Sequence, residues 1–266
     1  MNQYSRDTVR FLPATRTRQR GFSLIEIALV LVIVGLALGG IMAALGPQLE
    51  NKKISDTQAR IKEASDAIIA FAMVNGRLPC PASRPSITPV ATRGQSAPTS
   101  PANGLCTSFD GYVPARTLGL AEQGVSGDSE GVVQDAWGFG LRYRVSDHLS
   151  AGNYPLTQAD GIKNADAATR AALNKLIICD SSNAITPPTC GGAANLANAA
   201  LTVWSTGPNA AGVGGADEAK NLDADVIYVH HERRAATGLN GEYDDILSWQ
   251  TVNTLVSNMT KAGVLP

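Results

Sequence analysis

A single carboxylate, Glu26, lies near the start of a long apolar run, which reads RGFSLIEIALVLVIVGLALGGIMAAL at positions 20–45. The run is long enough to cross a bilayer, yet an unpaired charge is costly in an apolar environment. The sequence therefore leaves two alternatives. Either this segment does not face lipid, or Glu26 has a dedicated cationic partner.

Other residues that could do catalytic chemistry are few. The chain has three histidines, His148, His230 and His231. The last two are adjacent at the end of a predicted strand, where successive side chains point to opposite faces, so we do not expect them to share a metal ion. The same reasoning predicts that the carboxylates of Asp244 and Asp245 diverge. No HExxH, GxSxG or P-loop motif occurs, and no GxGxxG follows a strand, so we expect no enzyme.

The four cysteines form two pairs that are close in the sequence, Cys80 with Cys106 and Cys179 with Cys190. An even number is typical of disulfides in an oxidising compartment, although four cysteines allow three connectivities. Four buried thiols are the alternative. The sequence has no CxxC motif, so a zinc or thioredoxin-like site is not expected.

Charge is distributed unevenly along the chain. Residues 1–21 contain five arginines and one aspartate, which leaves 17 basic and 22 acidic side chains, a net charge of −5, for the remainder. An acidic body gives no basic surface for nucleic acid. Arginines before an apolar span keep the N-terminus cytoplasmic, so the rest of the chain is expected to face outward. A Sec signal peptide also begins this way, but its apolar region is shorter and is not interrupted by a glutamate.

The stretch RGFSLIEIALVLVIVG at 20–35 resembles the N-terminal signature of type IV prepilins and type II secretion pseudopilins. That signature is a Gly, an aromatic residue, Ser or Thr, Leu, Ile and Glu, followed by an apolar helix. The resemblance implies that prepilin peptidase removes the basic leader, residues 1–21, by cutting between Gly21 and Phe22, and N-methylates Phe22. It also implies that residues 22–46 stay attached as a transmembrane and filament-core helix.

The resemblance gives Glu26 its partner. In a filament of staggered helices, Glu26 of one subunit is expected to pair with the Phe22 amine of its neighbour. Such a pair sets axial register, as a single buried polar residue does in a coiled coil. A glutamate that the bilayer merely tolerates is the alternative.

One continuous helix is predicted from about Phe22 to about Asn75. A kink or local melting is expected at Gly46-Pro47. Beyond it, residues 47–76 carry apolar side chains at helical spacing, and Asn75-Gly76 ends the helix. The apolar stripe is expected to pack on a globular domain, residues 77–266, so that the fold class is α+β.

This domain is predicted to contain one antiparallel sheet of four to six strands. A loop rich in Pro, Ser and Thr, residues 82–103, would have its ends tied by a Cys80–Cys106 bridge. The predicted strands are Leu141–Val145, Leu176–Cys179, Leu201–Trp204, Val226–Val229 and Asp245–Trp249, and the predicted helices are Ala165–Lys175 and Val252–Ala262.

Two segments of the domain resemble the major pseudopilins. The sequence QDAWGFGLRY at 134–143 resembles their Asp-Pro-Trp-Gly turn, with Ala136 in place of Pro. The segment from Ser205 to Val226 resembles their calcium-binding loop, with Asn209 where an acidic residue is usual. Calcium takes six to eight oxygen ligands, and a solvated acidic loop without metal is the alternative. The candidate ligands implied by this resemblance are Asp217, Asp223 and Asp225, with Glu218 as a further donor.

These features predict a structural subunit of a type IV pilus or a type II secretion pseudopilus. Removal of the leader leaves 245 residues, which favours a minor subunit. The implied partners are other pilin subunits, prepilin peptidase, the inner-membrane assembly platform and secreted cargo. The chain would span the bacterial inner membrane once, with a periplasmic domain, before it enters a periplasmic pseudopilus or an extracellular pilus. The alternatives are a major pilin with an adhesive head, a membrane-anchored binding or adhesin domain that does not polymerise, and a periplasmic enzyme released by signal peptidase.

Overall fold

The computed structural model describes residues 21–84, 89–122, 131–210 and 214–265, without the side chains of residues 37–45 and 90. The predicted leader, apart from Gly21, lies outside the described residues. The fold is α+β, as predicted. The chain divides into two compact units, Met1–Leu49 and Glu50–Pro266, and each is described by itself.

Helix α1 spans Leu24–Asn75 and carries most of the first unit's described residues. The local melting predicted at Gly46-Pro47 is not observed, because Pro47 lies inside α1. Within the described part of the chain, no helix is both long enough and apolar enough to cross a membrane. The transmembrane assignment of residues 22–46 stays a prediction.

The last turns of α1 belong to the second unit and supply one wall of its core. Ile61, Ala64, Ile68 and Ala72 are buried at spacings of three and four residues, which confirms the predicted stripe. The helix ends as predicted, because Gly76 adopts a left-handed conformation with φ of +66° and its N–H donates to the Ala72 carbonyl at 2.9 Å.

Within the described residues, seven strands form two sheets. The predicted antiparallel sheet is confirmed, but the expectation that it is the domain's single sheet is wrong. The larger sheet is antiparallel, in the order β1-β2-β5-β7, and the smaller has the order β4-β3-β6. Strands β3 and β6 pair in parallel, which the long intervening segment permits. The strands are β1 Asp110–Tyr112, β2 Arg142–Val145, β3 Leu176–Cys179, β4 Asn195–Ala199, β5 Leu201–Ser205, β6 Ile227–Val229 and β7 Ile246–Gln250.

The helices of the second unit are short apart from the end of α1 and the C-terminal helix. Two of them correspond to the predicted helices, and Asp166 and Thr251 cap these by accepting a backbone N–H through the side chain. The helices are α2 Ala115–Leu118, α3 Gly161–Asn164, α4 Ala167–Ala172, α5 Ala216–Leu222 and α6 Val252–Lys261, with a 3₁₀ turn at Val90–Thr92.

Two apolar clusters account for most of the core. The first joins the α1 stripe, the larger sheet and α6 through residues such as Ile68, Tyr143 and Leu255. The second joins the two sheets around Trp204 and Tyr228, whose rings meet edge-to-face with centroids 5.1 Å apart. The packed second unit therefore provides a rigid frame for the loops that carry acidic side chains.

All four cysteines are in disulfides, Cys80–Cys106 and Cys179–Cys190. The alternative of buried thiols is therefore wrong. The first bridge ties the ends of the Pro-rich loop, as expected, and the second closes the loop between β3 and β4.

Candidate functional site

The predicted processing and assembly residues lie at the beginning of α1. Gly21, Phe22 and Ser23 precede the helix, which begins at Leu24. Phe22 is 79% exposed, and a Cβ added to Gly21 would meet no atom within 4 Å. The Gly21–Phe22 bond therefore lies outside the helix, and the side chain of Phe22 is exposed.

Glu26 and Ser23 form a reciprocal cap at this helix end. The Ser23 N–H donates to Glu26 Oε2, and the Glu26 N–H donates to Ser23 Oγ, both at 3.4 Å. This is the capping box of a Ser-x-x-Glu sequence, which satisfies two backbone donors that the helix itself leaves free. The Ser23-x-x-Glu26 pattern is a signal in the sequence for this cap, which was not among the predictions. In the single chain, Glu26 thus has a partner in its own first turn.

The turn at 134–137 docks against the second half of α1. One guanidinium nitrogen of Arg60 donates to the carbonyls of Gln134 and Asp135, at 2.8 and 2.7 Å. The Ala136 N–H donates to Thr57 Oγ1 at 3.0 Å. The Asp135 carboxylate accepts from two backbone N–H groups of its own turn and from the hydroxyl of Ser205, which holds the turn rigid.

Asp217, a predicted calcium ligand, is buried and fully engaged. It is 1% exposed and accepts the Ser182 N–H at 2.7 Å, the Asn240 amide at 3.1 Å and His231 Nε2 at 3.0 Å. Burial opposes ionisation here, but these hydrogen bonds outweigh it and lower the pKa of Asp217. Asp217 therefore acts as a structural anion that joins α5 to the segments at 182 and 231–240.

Asp223 and Asp225, the other predicted ligands, share a lysine. Lys220 Nζ lies 2.6 Å from Asp223 Oδ2 and also pairs with Asp225 Oδ2. Partial burial disfavours the ammonium ion, but the two carboxylates outweigh it and raise the pKa of Lys220. These two carboxylates thus already have a cation, and the structure does not bring them together with Asp217. The set implied by the resemblance does not fit a calcium ion.

A different set of carboxylates does converge. One oxygen from each of Glu218, Asp244 and Asp245 lies within 4.8 Å of the others, and all three residues are at most 5% exposed. We call this group the acidic triad. The prediction that Asp244 and Asp245 diverge is wrong, because β7 begins at Ile246 and the two residues precede the regular strand.

Burial shifts the ionisation of the triad. Burial, with the nearby charge of Glu218, raises the pKa of Asp244 to about 7, and burial raises the pKa of Asp245 to about 8. Asp245 Oδ2 accepts the Asn221 amide at 2.7 Å, and Glu218 accepts the Asp244 N–H at 2.7 Å. The sequence pattern of 205–226 indicated a single loop, and no local signal indicated that residues 244–245 approach α5.

The adjacent histidines point into different surroundings, as predicted. The His230 ring meets Trp249 with centroids 5.1 Å apart, whereas the His231 ring lies 3.9 Å from that of Tyr243. The two rings therefore pack against different aromatic side chains. Arg233, two residues further along the chain, pairs with Glu50 of the same unit at 3.2 Å.

Comparison with known families identifies the N-terminal segment. Residues 16–42 match the family model of the prokaryotic N-terminal methylation motif. The chain carries a prepilin-type N-terminal methylation motif. This finding supports the type IV pilin and pseudopilin family that residues 20–35 predict. No curated protein matches the chain, and no solved structure matches it.

Proposed function

We propose that this chain is a subunit of a type IV pilus or a type II secretion pseudopilus that is cut between Gly21 and Phe22. The observation that carries the proposal is the methylation motif at 16–42, together with a Gly21–Phe22 bond that lies outside the 52-residue helix that follows it. Cleavage leaves an N-methylated Phe22 and a helix that stays attached. Prepilin peptidase and other pilin subunits are the partners that the motif implies.

The start of α1 exposes an apolar surface that requires a membrane or a protein partner. The large apolar side chains from Phe22 to Leu36 are exposed in the single chain, including Leu24 at 89% and Leu31 at 66%. Exposed apolar surface of this extent marks a membrane or protein contact. We propose that the inner membrane covers it before assembly and that neighbouring helices cover it in the filament, with the second unit in the periplasm.

In this proposal, Glu26 binds the N-terminal ammonium group of a neighbouring subunit during assembly. Cleavage creates an ammonium group at Phe22, next to the capping Ser23. Among the described residues, the Glu26 carboxylate accepts only the Ser23 N–H, at 3.4 Å, and a neighbour's ammonium can replace this with a stronger, charge-assisted bond. Pairing also removes the cost of an uncompensated charge in an apolar environment. The pair therefore favours one axial position of a subunit over others.

A minor position in the filament is the finer part of the proposal. The mature chain of 245 residues is larger than the usual major subunits of this family. Its size suits a subunit that primes assembly, lies near the tip or contacts cargo. We propose that its role is structural and mechanical, and that the inner-membrane assembly platform adds it to the growing rod.

Substitution of Glu26 tests the proposal in cells that assemble the filament. We expect Glu26→Gln and Glu26→Val to reduce the amount of this chain in sheared filaments at least tenfold, with normal levels in the membrane. Glu63→Gln, on an exposed face of α1, is the matched control and should be incorporated normally. Unchanged incorporation of both Glu26 variants would contradict the assembly role and favour a membrane-anchored domain that does not polymerise.

A further inference from the structure

We infer that the second unit binds a small monovalent anion, such as chloride, beside Arg142 and Arg144, where the larger sheet meets the smaller one. Every residue that carries the inference lies in this unit. The site does not depend on cleavage at Gly21. A bound anion would stabilise the contact between the two sheets.

Arg142 and Arg144 lie on the same face of β2, because alternate residues of a strand point to the same side. Tyr143, between them, points to the other side and belongs to the apolar cluster that contains α1. The two arginines are therefore on the side of the larger sheet that carries Trp204 and meets the smaller sheet. Together with their cross-strand neighbours they form what we call the arginine layer, whose other members are Asp110 and Tyr112 on β1 and Thr202 and Trp204 on β5.

The ion pairs of the arginine layer leave one positive charge over. Both guanidinium groups pair with the same carboxylate, with Arg142 Nη2 at 2.8 Å from Asp110 Oδ1 and Arg144 Nη1 at 3.5 Å from Asp110 Oδ2. The side chain of Arg144 is only 7% exposed. Among the described residues, no second carboxylate forms an ion pair with either arginine. A buried charge is costly unless it is compensated nearby, so a monovalent anion would balance the second guanidinium.

Three buried N–H groups of the layer lack an acceptor. They are Arg142 Nε, Arg144 Nε and Trp204 Nε1, and none has a hydrogen-bond partner in the described part of the chain. Arg144 donates through Nη1 alone, to Asp110 and to the Ala224 carbonyl at 2.7 Å, so the side of its guanidinium that includes Nε is not engaged. These N–H groups can only donate, and buried donors are almost always satisfied. An anion, which accepts several hydrogen bonds at once, matches this set.

A hydroxyl of the smaller sheet adds a further donor. Tyr228 on β6 is 1% exposed, and its ring meets that of Trp204 with centroids 5.1 Å apart. Burial raises the pKa of Tyr228 and the nearby charge of Asp110 raises it further, whereas Arg144 and Arg142 oppose this. The phenol is therefore protonated at neutral pH and can donate. The effect of all three charges on Tyr228 also indicates that its hydroxyl faces the arginine layer.

The acidic groups next to the layer have a cation of their own. Asp223 and Asp225 flank Ala224, but both carboxylates pair with Lys220. Their side chains are 40% and 36% exposed, so water screens the charge that remains there. A divalent oxyanion would overcompensate the arginine layer, which favours a monovalent ion. A buried water molecule is the alternative, and it differs from an anion because its binding does not depend on the salt.

Thermal unfolding in two salts tests the site. The full-length protein in mild uncharged detergent is dialysed into sodium gluconate and titrated with sodium chloride at constant ionic strength, which keeps the screening of surface charges the same. A ligand that binds only the folded state stabilises it, so the midpoint of thermal unfolding should rise by several degrees and saturate with chloride. Equal midpoints in the two salts would overturn the inference and favour buried water.

Variants locate the site. Arg144→Gln should raise the apparent Kd for chloride at least tenfold, and Tyr228→Phe, which removes a hydroxyl and keeps the ring, should raise it in the same direction. The matched control is Arg170→Gln, whose guanidinium donates to the carbonyls of Ile162 and Lys163 and which should keep the full chloride dependence. Far-UV circular dichroism checks that each variant folds.

Full chloride dependence in both variants of the layer, or its loss in the Arg170→Gln control, would overturn the assignment. None of these results bears on cleavage at Gly21, so the proposed function stands or falls separately.

Discussion

Replacement of Ile68 by Ala tests whether the second half of α1 is built into the core. Ile68 is fully buried in the cluster that joins α1, the larger sheet and α6. The substitution removes three carbon groups, worth about 2.4 kcal/mol at about 0.8 kcal/mol each. The cavity left behind adds to this, so the expected loss in the free energy of unfolding is about 2–5 kcal/mol.

Urea unfolding of the mature protein in mild detergent measures this loss. The three tryptophans of the chain, Trp137, Trp204 and Trp249, all lie in the second unit and report its unfolding. Val74→Ala, on the same helix but at a position that is 84% exposed, is the matched control and should change stability by less than about 0.5 kcal/mol. Equal losses in the two variants would refute the packing of this helix face.

Two further predictions concern the second unit. Because the pKa of Asp217 is lowered by folding, its stabilising effect is present above the unfolded carboxyl pKa of about 3.9 and is lost as the pH falls through the lower, folded value. Asp217→Asn should therefore lower the free energy of unfolding by about 1.5–3 kcal/mol at pH 7. Urea unfolding from pH 3 to 7 should also show that the variant loses less stability on acidification than the unaltered protein. Parallel curves of stability against pH for the two proteins would contradict this. Replacement of both Cys80 and Cys106 by Ser should lower the free energy of unfolding by about 2–5 kcal/mol and make the 82–103 loop susceptible to limited proteolysis. An unchanged digestion pattern would contradict a structural role of this disulfide.

Much of the helical architecture was predictable because its signals are local. The stripe through Ile61 and Ile68 and the stop at Asn75-Gly76 place α1 to within about two residues. Strand β3 was predicted with its observed bounds, and the ends of β7 differ by one residue. Alternating or continuous apolar runs and a glycine after a helix leave a readable pattern in the sequence.

The pairing of the strands was not predictable in the same way. The parallel contact between β3 and β6 joins segments about 50 residues apart, and no local pattern encodes it. Strand β4, with the sequence NLANA, lacks the β-branched and aromatic residues that usually mark a strand. Its place is set by pairing with β3, a tertiary effect that overrides local propensity.

The candidate sites also divide into one with a local sequence signal and one that depends on tertiary contacts. Gly21, Phe22 and Glu26 follow from a short, contiguous motif. The acidic triad does not, because it depends on where β7 begins and on the approach of α5 to residues 244–245. Helix α5 was predicted as a loop, although the sequence contains two helix signals, a pair of acidic residues in the first turn and Lys220 in the last.

Intact-mass and N-terminal analysis of the protein from native membranes tests the central claim most directly. The account predicts a chain that begins with N-methylated Phe22, with the mass of residues 22–266 plus one CH₂ for the methylation and minus two hydrogens for each disulfide. A chain that retains the arginine-rich leader, or one that begins beyond Leu45, would contradict it.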